Sequence, residues 1–169
     1  MNILLAGGAG YIGSHTAVSL LEAGHSVILA DNYENSSPKA VERIREITGQ
    51  PVVSYTADVT DKAAMTEIFA ANSIDCVIHF AGLKAVGESG RVPLRYYRNN
   101  LDTTLTLLEC MAEHGVRDIF IANEVIGEDK YERLRQLHRR IHVRIGIDNE
   151  VQLAQMEKVF AAEARPLEV

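Results

Sequence analysis

Residues 6–15 read AGGAGYIGSH and follow an apolar run, Asn2–Ala6, that has the length of a buried strand. Gly7, Gly10 and Gly13 give the spacing G-x-x-G-x-x-G, and a helical pattern follows directly. In such a loop the first glycine allows a tight turn, the second lets the backbone approach a phosphate, and the third lets the helix pack closely. The start of the helix adds free N–H groups and the positive end of its dipole. The stretch therefore predicts a loop that cradles phosphate groups, and the alternative is a plain structural turn.

The next strand-like run, Ser26–Asp31, ends in an acid eighteen residues after Gly13. In dinucleotide-binding units a carboxylate at about this distance accepts hydrogen bonds from the adenosine ribose. Asp31 is followed by Asn32 and Tyr33 and not by an arginine, which disfavours a 2′-phosphate. Strand, loop, helix and acid in this order predict binding of NAD rather than NADP.

Short apolar runs alternate with helical patterns along the whole chain of 169 residues. This alternation predicts right-handed βαβ crossovers and a parallel sheet that is covered on both faces. We expect a single α/β domain over residues 1–169, with a three-layer, doubly wound sheet of six to seven strands, the NAD-binding Rossmann fold. The predicted strands are 2–6, 26–31, 52–56, 75–80, 118–122, 142–147 and a short seventh at 167–169. The predicted helices are 11–23, 37–48, 61–72, 93–114, 128–141 and 150–164.

Composition limits the partners and the location. The net charge of −6 argues against nucleic acid or an anionic membrane as the main partner. The first apolar run is too short for a signal peptide or a membrane span. Cys76 and Cys110 form no metal-binding or redox motif, so we expect reduced core thiols of a cytoplasmic protein. The six histidines are scattered, and we expect no metal.

Small and polar residues also follow the third and fourth predicted strands. Asp58 and Val59 follow one, and residues 80–82 (Phe-Ala-Gly) follow the other. Both groups should stand at the carboxyl edge of the sheet, where open α/β folds bind their ligands. Asp58 could contact the adenine end of a ligand or cap the next helix. Lys84 could reach a phosphate or be a solvated surface charge.

Four of these stretches together resemble the UDP-glucose 4-epimerase family of extended short-chain dehydrogenases/reductases. They are AGGAGYIGSHT (6–16), ADN (30–32), HFAGLKAVGES (79–89) and YYRNN (96–100). The resemblance runs from residue 1 to about 116, with a departure at Ala6, where the family usually has Thr. It implies a Rossmann domain that holds NAD and removes hydride from C4 of a UDP-hexose. It also implies cofactor contacts at Gly7, Gly10, Tyr11, Ile12, Gly13, Asp31, Asn32, Asn35, Ser36, Asp58, Val59, Phe80, Ala81, Gly82, Lys84 and Asn99.

The catalytic part of the family pattern is missing from these 169 residues. In the family a serine run ends the fifth strand, and a Tyr-x-x-x-Lys helix supplies the base, a tyrosine whose pKa the lysine lowers. Here residues 122–124 read Ala-Asn-Glu, and Tyr131 is followed four residues later by Arg135, which cannot replace lysine in this role. Tyr131 shares a helical apolar pattern with Leu134, Leu137 and Ile141. We therefore predict that Tyr131 packs in a core, that the chain has no catalytic residues, and that the family's sugar-binding domain is absent.

Residues 118–169 match a different pattern. The run DIFIANEV (118–125) and the βα pattern after it resemble a barrel segment of D-threonine aldolases and related alanine-racemase-like enzymes that use pyridoxal phosphate. The lysine that binds the cofactor in those enzymes lies in an earlier strand, so we expect no pyridoxal phosphate here. The change of pattern near residue 117 suggests an engineered chimera, and a divergent natural reading frame is the alternative. His142, Arg144 and Gly146 alternate with apolar residues, which predicts an edge strand that Arg144 and Asp148 protect and through which a homodimer could form.

Three hypotheses about function stay open at this point. The first is an NAD-binding domain that performs no chemistry. The second is an active UDP-hexose 4-epimerase, or another NAD-dependent short-chain enzyme, in which Glu124 or Tyr131 acts as the base. The third is a purely structural assembly of fragments from two folds, with no ligand. The missing serine, tyrosine and lysine make us expect that the chain is not an enzyme.

Overall fold

The computed structural model describes residues 1–116, 118–121, 128–139, 142–147 and 149–167. The chain divides into two compact units, Met1–Val116 and Arg117–Val169. This boundary lies within one residue of the position where the epimerase-like pattern ends. The predicted serine-replacing segment, residues 122–124, lies outside the described residues.

The first unit contains a parallel sheet with helices on both sides. Its elements are β1 (Asn2–Ala6), α1 (Tyr11–Glu22), β2 (Ser26–Asp31), α2 (Lys39–Thr48), β3 (Val53–Thr56), α3 (Lys62–Ala71), β4 (Cys76–His79), α4 (Val86–Ser89) and α5 (Pro93–Glu113). The four strands pair in the order β3-β2-β1-β4. Ala6, the last residue of β1, pairs with Ala30 on one side and with His79 on the other. The carboxyl ends of three strands are therefore level, and the chain leaves all of them at one edge.

The core of the first unit follows from the alternation of side chains along β1. Ile3 and Leu5 belong to one buried cluster, which also contains Leu21 of α1 and Ile44 of α2. Leu4 is fully buried and points to the opposite face, because successive side chains of a strand alternate. Complete burial of a leucine contributes about 1.5–3 kcal/mol. The predicted fold class, a parallel sheet covered on both faces, is confirmed.

A glycine outside the predicted triplet makes the closest approach to the sheet. A Cβ on Gly8 would lie 2.5 Å from the Leu29 Cδ2 atom and 2.8 Å from the Leu5 Cβ atom. A Cβ on Gly13 would instead lie 2.8 Å from the Gly7 oxygen and from the Gly8 Cα atom. Gly13 therefore brings α1 against the loop backbone, whereas Gly8 lets the loop lie against β1 and β2.

The longest helix, α5, buries a different face from the one that its leucines indicate. Leu101 and Leu105 are 59% and 55% exposed, whereas Thr103, Leu107 and Cys110 are buried. The side chain of Thr103 bonds to the Asn100 oxygen, a common way to satisfy a buried hydroxyl in a helix. None of the helices in the described part of the chain has the length and apolarity needed to cross a membrane.

The second unit is a smaller βαβα segment. Its elements are β5 (Asp118–Ile121), α6 (Glu128–His138), β6 (His142–Ile145) and α7 (Glu150–Phe160). β5 and β6 pair in parallel, with Asp118 opposite His142. In the described residues, strand pairing therefore gives sheets of four and two strands instead of the expected single sheet of six or seven. Leu167, the described part of the predicted seventh strand, is not in a strand.

Tyr131 is completely buried at the centre of the second unit. It packs with Leu134 of α6, Val143 and Ile145 of β6, and two residues of α7, Met156 and Phe160. Its hydroxyl donates a hydrogen bond to the Gln155 Oε1 atom at 3.2 Å. The prediction that Tyr131 packs in a core is confirmed.

The helical stripe of α6 differs from the predicted one. Leu137 is 38% exposed, and His138 takes its place on the buried face, 1% exposed. Ile141, the last member of the predicted stripe, lies outside the described residues. In β6, Arg144 is exposed between the buried Val143 and Ile145, as the alternation predicts, and Asp148 lies outside the described residues.

Glu163 sits between two arginines at the end of the second unit. Its Oε1 atom lies 3.0 Å from Arg135 Nη1 and 2.6 Å from Arg139 Nη2. The hydrogen bond from Arg139, followed by that from Arg135, lowers the pKa of Glu163 to about 2 against the opposing effect of burial. Arg135 also pairs with Glu132 at 2.6 Å, so all three of its guanidinium nitrogens bond to a carboxylate.

Candidate functional site: a groove at the edge of the first sheet

A groove of about 630 Å³, counted to its open mouth, runs along the carboxyl edge of the first unit's sheet. This is where ligands bind in open α/β folds. The sequence predicts most of its wall. The predicted residues that line it are Gly7, Gly10, Asp31, Asn32, Asn35, Ser36, Asp58, Val59, Phe80, Ala81, Gly82 and Asn99.

The other four predicted residues lie beside the groove and not in its wall. Tyr11 and Ile12, at the start of α1, are 82% and 61% exposed. Gly13 is buried against the loop backbone. Lys84 is exposed, and its Nζ atom donates to the Phe80 oxygen at 3.4 Å, which is the geometry of a surface charge folded back on its own loop.

The glycine loop has one crowded position and one open position. Gly7 has φ = +73°, and a Cβ there would lie 2.5 Å from the Ala81 nitrogen, so the loop presses against the segment that follows β4. Gly10 is the N-cap of α1 and has an extended backbone and no capping side chain. A Cβ on Gly10 would meet only the Gly7 oxygen, at 3.4 Å. The space beside Gly10 is therefore open to a ligand, with the first N–H groups of α1 next to it.

Asp31, the last residue of β2, is held by hydrogen bonds from the glycine loop and from the loop that follows β2. It is 7% exposed, and its Oδ2 atom accepts a hydrogen bond from the Ala9 nitrogen at 2.9 Å. Its Oδ1 atom accepts from the Tyr33 nitrogen at 2.9 Å and from the Ser36 hydroxyl at 2.7 Å. A carboxylate has about four acceptor positions, so three are used and one on Oδ2 is left for a ligand hydroxyl.

Asp58 does not cap the next helix, so that alternative is wrong. The N-cap of α3 is Asp61, whose side chain accepts from the nitrogens of Ala63 and Ala64. Asp58 instead accepts from the nitrogen and the hydroxyl of Thr60, at 2.8 and 2.7 Å. Burial alone would raise the pKa of Asp58, but these bonds and one from Asn32 outweigh it and lower the pKa. The carboxylate therefore stays ionised in the groove wall.

Asn100 fixes the segment after β4 to helix α5. Its side-chain oxygen accepts from the Leu83 nitrogen at 2.8 Å, and its side-chain nitrogen donates to the Leu83 oxygen at 3.0 Å. Gly82 has φ = +153° and lies so close that a Cβ would be 3.2 Å from the same Asn100 oxygen. The sequence could have pointed to Asn100, because it adjoins the predicted site residue Asn99. The Asn-Asn pair alone, however, does not tell which of the two side-chain amides faces the groove.

Four residues of the groove wall escaped sequence reasoning: Glu34, Ala57, Leu83 and Thr103. Thr103 stands four residues after Asn99 on α5, so helical spacing could have found it. Glu34 lies within the loop that includes Asn32 and Asn35, and its charge alone indicates only a solvated surface residue.

The residues present fit an adenine dinucleotide. Asp31, Glu34 and Asp58 give one part of the groove three carboxylates, which accept bonds from ribose hydroxyls and repel a 2′-phosphate. The glycine loop and the start of α1 give another part small residues and free N–H groups, which suit a pyrophosphate. Among the described residues, no group of three or more histidine, cysteine or acidic side chains could hold a metal ion.

Comparison with known proteins agrees with this geometry. Residues 3–138 match the family described as the NAD dependent epimerase/dehydratase family. The chain belongs to this family. The match covers both β5 and α6 and passes the change of pattern at residue 117.

Individual relatives of the epimerase family place the chain more closely. It is 52% identical over 123 residues to the UDP-glucose 4-epimerase of Bacillus subtilis, covering 73% of this chain and 36% of that protein. It is 46% identical over 144 residues to the mouse UDP-glucose 4-epimerase, covering 80% of this chain and 42% of that protein. The Bifidobacterium longum UDP-glucose 4-epimerase, crystallised with NAD⁺ and UDP, matches with a TM-score of 0.76 and 41% identity. That match covers 86% of this chain and 52% of the Bifidobacterium chain, so the chain spans only part of the length of its relatives.

Proposed function

We propose that this chain binds NAD in the groove at the carboxyl edge of its first sheet. The observation that carries the proposal is Asp31, a buried carboxylate of the groove wall. Ala9 of the glycine loop and Tyr33 and Ser36 of the loop after β2 fill three of its acceptor positions, and one position on Oδ2 stays unused. The open space beside Gly10 supports the same reading, because a pyrophosphate needs a glycine there. The epimerase family is NAD dependent by description, and its Bifidobacterium member was crystallised with NAD⁺.

We propose further that these 169 residues hold the cofactor without catalysing epimerisation. The sequence has Ala-Asn-Glu at 122–124 where the resemblance implies serines, and its one Tyr-x-x-x-cation pattern after residue 118 begins at Tyr131. Tyr131 is fully buried, and Arg135 is paired with Glu132 and Glu163. Each acid–base group of this type typically contributes ~10²–10⁴-fold to the rate, so loss of the set leaves little activity.

Titration calorimetry of the full chain with NAD⁺ tests the binding proposal. We expect measurable heat for the wild type and none for Gly10→Val, because the valine side chain fills the space that the pyrophosphate needs. Gly10 has an ordinary φ of −67°, so the variant should keep its fold. Gly90→Val is the matched control, since a Cβ there meets nothing within 4 Å and lies away from the groove wall. No heat from the wild type at millimolar NAD⁺ contradicts the proposal and favours the purely structural assembly.

Turnover of UDP-galactose tests the second proposal separately. We expect no product above a protein-free control in the presence of NAD⁺. Product that disappears in Tyr131→Phe contradicts the proposal and supports the active-epimerase hypothesis. Binding and turnover are independent readouts, so either proposal can fail alone.

We also propose that residues 118–169 have a separate origin, as an engineered graft of a barrel-type βα segment onto an epimerase-type half. The boundary of the compact units at residue 117 supports this, and the family match that continues to residue 138 counts against it. A graft of this kind predicts two independent unfolding units. Hydrogen exchange of the full chain, followed by mass spectrometry, should then detect two opening free energies with a change near residue 117. One common value for all slowly exchanging amides contradicts the graft.

Two smaller expectations join the proposal. Self-association as a homodimer is supported by the exposed apolar face of α5, on which Leu94, Leu101 and Leu105 are 71%, 59% and 55% exposed. Light scattering coupled to size-exclusion chromatography measures it, and a mass of one chain at all concentrations contradicts it. A cytoplasmic location is supported by Cys76 and Cys110, neither of which is in a disulfide.

A further inference from the structure

One guanidinium ties together three chain segments around the groove. Arg95, in the first turn of α5, places its Nη2 atom 2.5 Å from the Glu34 Oε1 atom. Its Nη1 atom lies 3.1 Å from the Glu88 Oε1 atom. Glu34 belongs to the loop after β2 and lines the groove, and Glu88 belongs to α4, which follows the wall segment 80–83. Arg95 itself lines a second, adjoining groove and not the one that contains Asp31.

Glu88, one of the two acids that pair with Arg95, is itself held by a further hydrogen bond. The Tyr96 hydroxyl donates to the Glu88 Oε2 atom at 2.6 Å, and Tyr96 is 7% exposed. The hydrogen bond to Glu88 raises the pKa of Tyr96, so the phenol stays a donor at neutral pH. Glu88 is thus oriented by a buried group, and Arg95 joins this anchored acid to the loop of Glu34.

The loop that Arg95 holds is itself unusual. Tyr33, next to Glu34, has φ = +58°, and it is the one non-glycine residue with positive φ in the described part of the chain. Such a conformation is uncommon and persists where the surroundings hold it. The same loop supplies Asn32, Asn35 and Ser36 to the groove wall, and its Tyr33 nitrogen and Ser36 hydroxyl bond to Asp31, so its position affects the site expected to bind a ribose.

We propose that Arg95 is a positioning residue that latches the loop 32–36 over the dinucleotide groove and so sets how fast the cofactor enters and leaves. The inference rests on the proposed binding of NAD. The side chains of Glu34, Arg95 and Glu88 are 46%, 50% and 39% exposed, so the latch is within reach of solvent and salt weakens it. Because an exposed ion pair is weak, the loop opens often, and loss of the pair favours the open form by a small factor. Entry and exit then both become faster, while the equilibrium affinity changes less.

Stopped-flow fluorescence of NADH with the full chain tests the latch. We expect Arg95→Met to raise the association and dissociation rate constants together, by about two- to fivefold, with a smaller change in Kd. Arg98→Met is the matched control. It removes the same charge one turn further along α5, lines the same adjoining groove, and forms no ion pair with any described residue. The control should leave both rate constants within error of the wild-type values at the same ionic strength.

A double-mutant cycle separates the latch from a direct effect on the ligand. Glu34 lines the groove, so Glu34→Gln can change NADH affinity by itself, whereas Arg95→Met should add nothing to the rates once Glu34→Gln is present. Additive effects, or equal effects of Arg95→Met and Arg98→Met, overturn the latch while leaving NAD binding intact. Absence of NADH binding to the wild type overturns the proposed function and the latch with it.

Discussion

The two compact units use polar side chains in opposite ways. In the first unit the carboxylates of Asp31 and Asp58 accept hydrogen bonds from nearby loops, and both line the groove. In the second unit Tyr131 and Glu163 are closed off, one by apolar neighbours and the other by two arginines. Asp31 lines an open groove, whereas Glu163 is paired with two arginines in the second unit. A substitution in one unit should therefore leave the stability of the other unit unchanged.

The largest effect should come from Tyr131→Ala. Truncation of a buried aromatic residue costs about 3–5 kcal/mol, because it removes apolar contacts and leaves a cavity. Hydrogen exchange should report this loss for residues of α6, β6 and α7 and no change for β1 and β2. Tyr131→Phe is the control and removes only the bond to Gln155, a cost of about 0.5–1.5 kcal/mol. Equal losses in both units would show that they unfold together.

In the first unit, Gly7→Ala should cost about 2–5 kcal/mol. Positive φ costs a residue with a Cβ about 1–2 kcal/mol, and overpacking against the Ala81 backbone adds about 1–3 kcal/mol. Gly24→Ala is the matched control, because Gly24 has φ = +83° but a Cβ there meets nothing within 4 Å. Chemical denaturation followed by circular dichroism measures both. If the two variants lose equal stability, the contact between the glycine loop and the segment after β4 is unimportant.

The second unit should also lose stability in acid through Glu163. Its pKa is lowered from an ordinary value of 4.5 to about 2, so its contribution is fully present above pH 4.5 and disappears as the pH falls toward 2. Hydrogen exchange of α6 between pH 5 and pH 2.5, corrected for the intrinsic rate, should record this decline. Glu163→Gln should be less stable at neutral pH and should lack that part of the pH dependence. A wild-type profile that Glu163→Gln reproduces excludes this carboxylate as the cause.

The smallest expected loss of stability comes from removing an N-cap side chain, and each unit has one such residue. Asp61 accepts from two nitrogens at the start of α3, and Asn149 accepts from the Gln152 nitrogen at 2.8 Å at the start of α7. Replacement of either by alanine should cost about 1 kcal/mol in its own unit only. Exchange rates of α3 and α7 distinguish the two. A loss that appears in the other unit contradicts independent stability.

Much of the fold could be predicted, because local chemistry decides it. The bounds of β1 could be predicted, because its apolar run stops at a glycine. The start of α1 could be predicted, because a phosphate-binding glycine loop is followed by a helix. The buried face of α5 could not be predicted, because it contains Thr103 and Cys110 while Leu101 lies outside. Apolar periodicity finds a helix face only when burial follows residue type.

Some residues of the candidate site could likewise be predicted from the sequence, and others could not. Gly10 and Asp31 could be predicted, because their residue types are required by the chemistry of a phosphate and a ribose. Glu34 could not, because its partner Arg95 is distant in sequence and only the folded chain brings them to 2.5 Å. The choice between a helix cap and a groove residue for Asp58 also needed the structure, since Asp58 and Asp61 are both acids that precede the same helix.

The amide of Asn100 has a mechanical consequence. It exchanges two hydrogen bonds with the backbone of Leu83, much as a neighbouring strand would, and it lies about two turns into a helix of 21 residues. A tilt of α5 about its buried face would therefore also move residues 82–83 of the groove wall, because Asn100 ties them to the helix. A molecule that binds the exposed leucines of α5 would restrict the tilt of this helix and would thereby change the width of the groove.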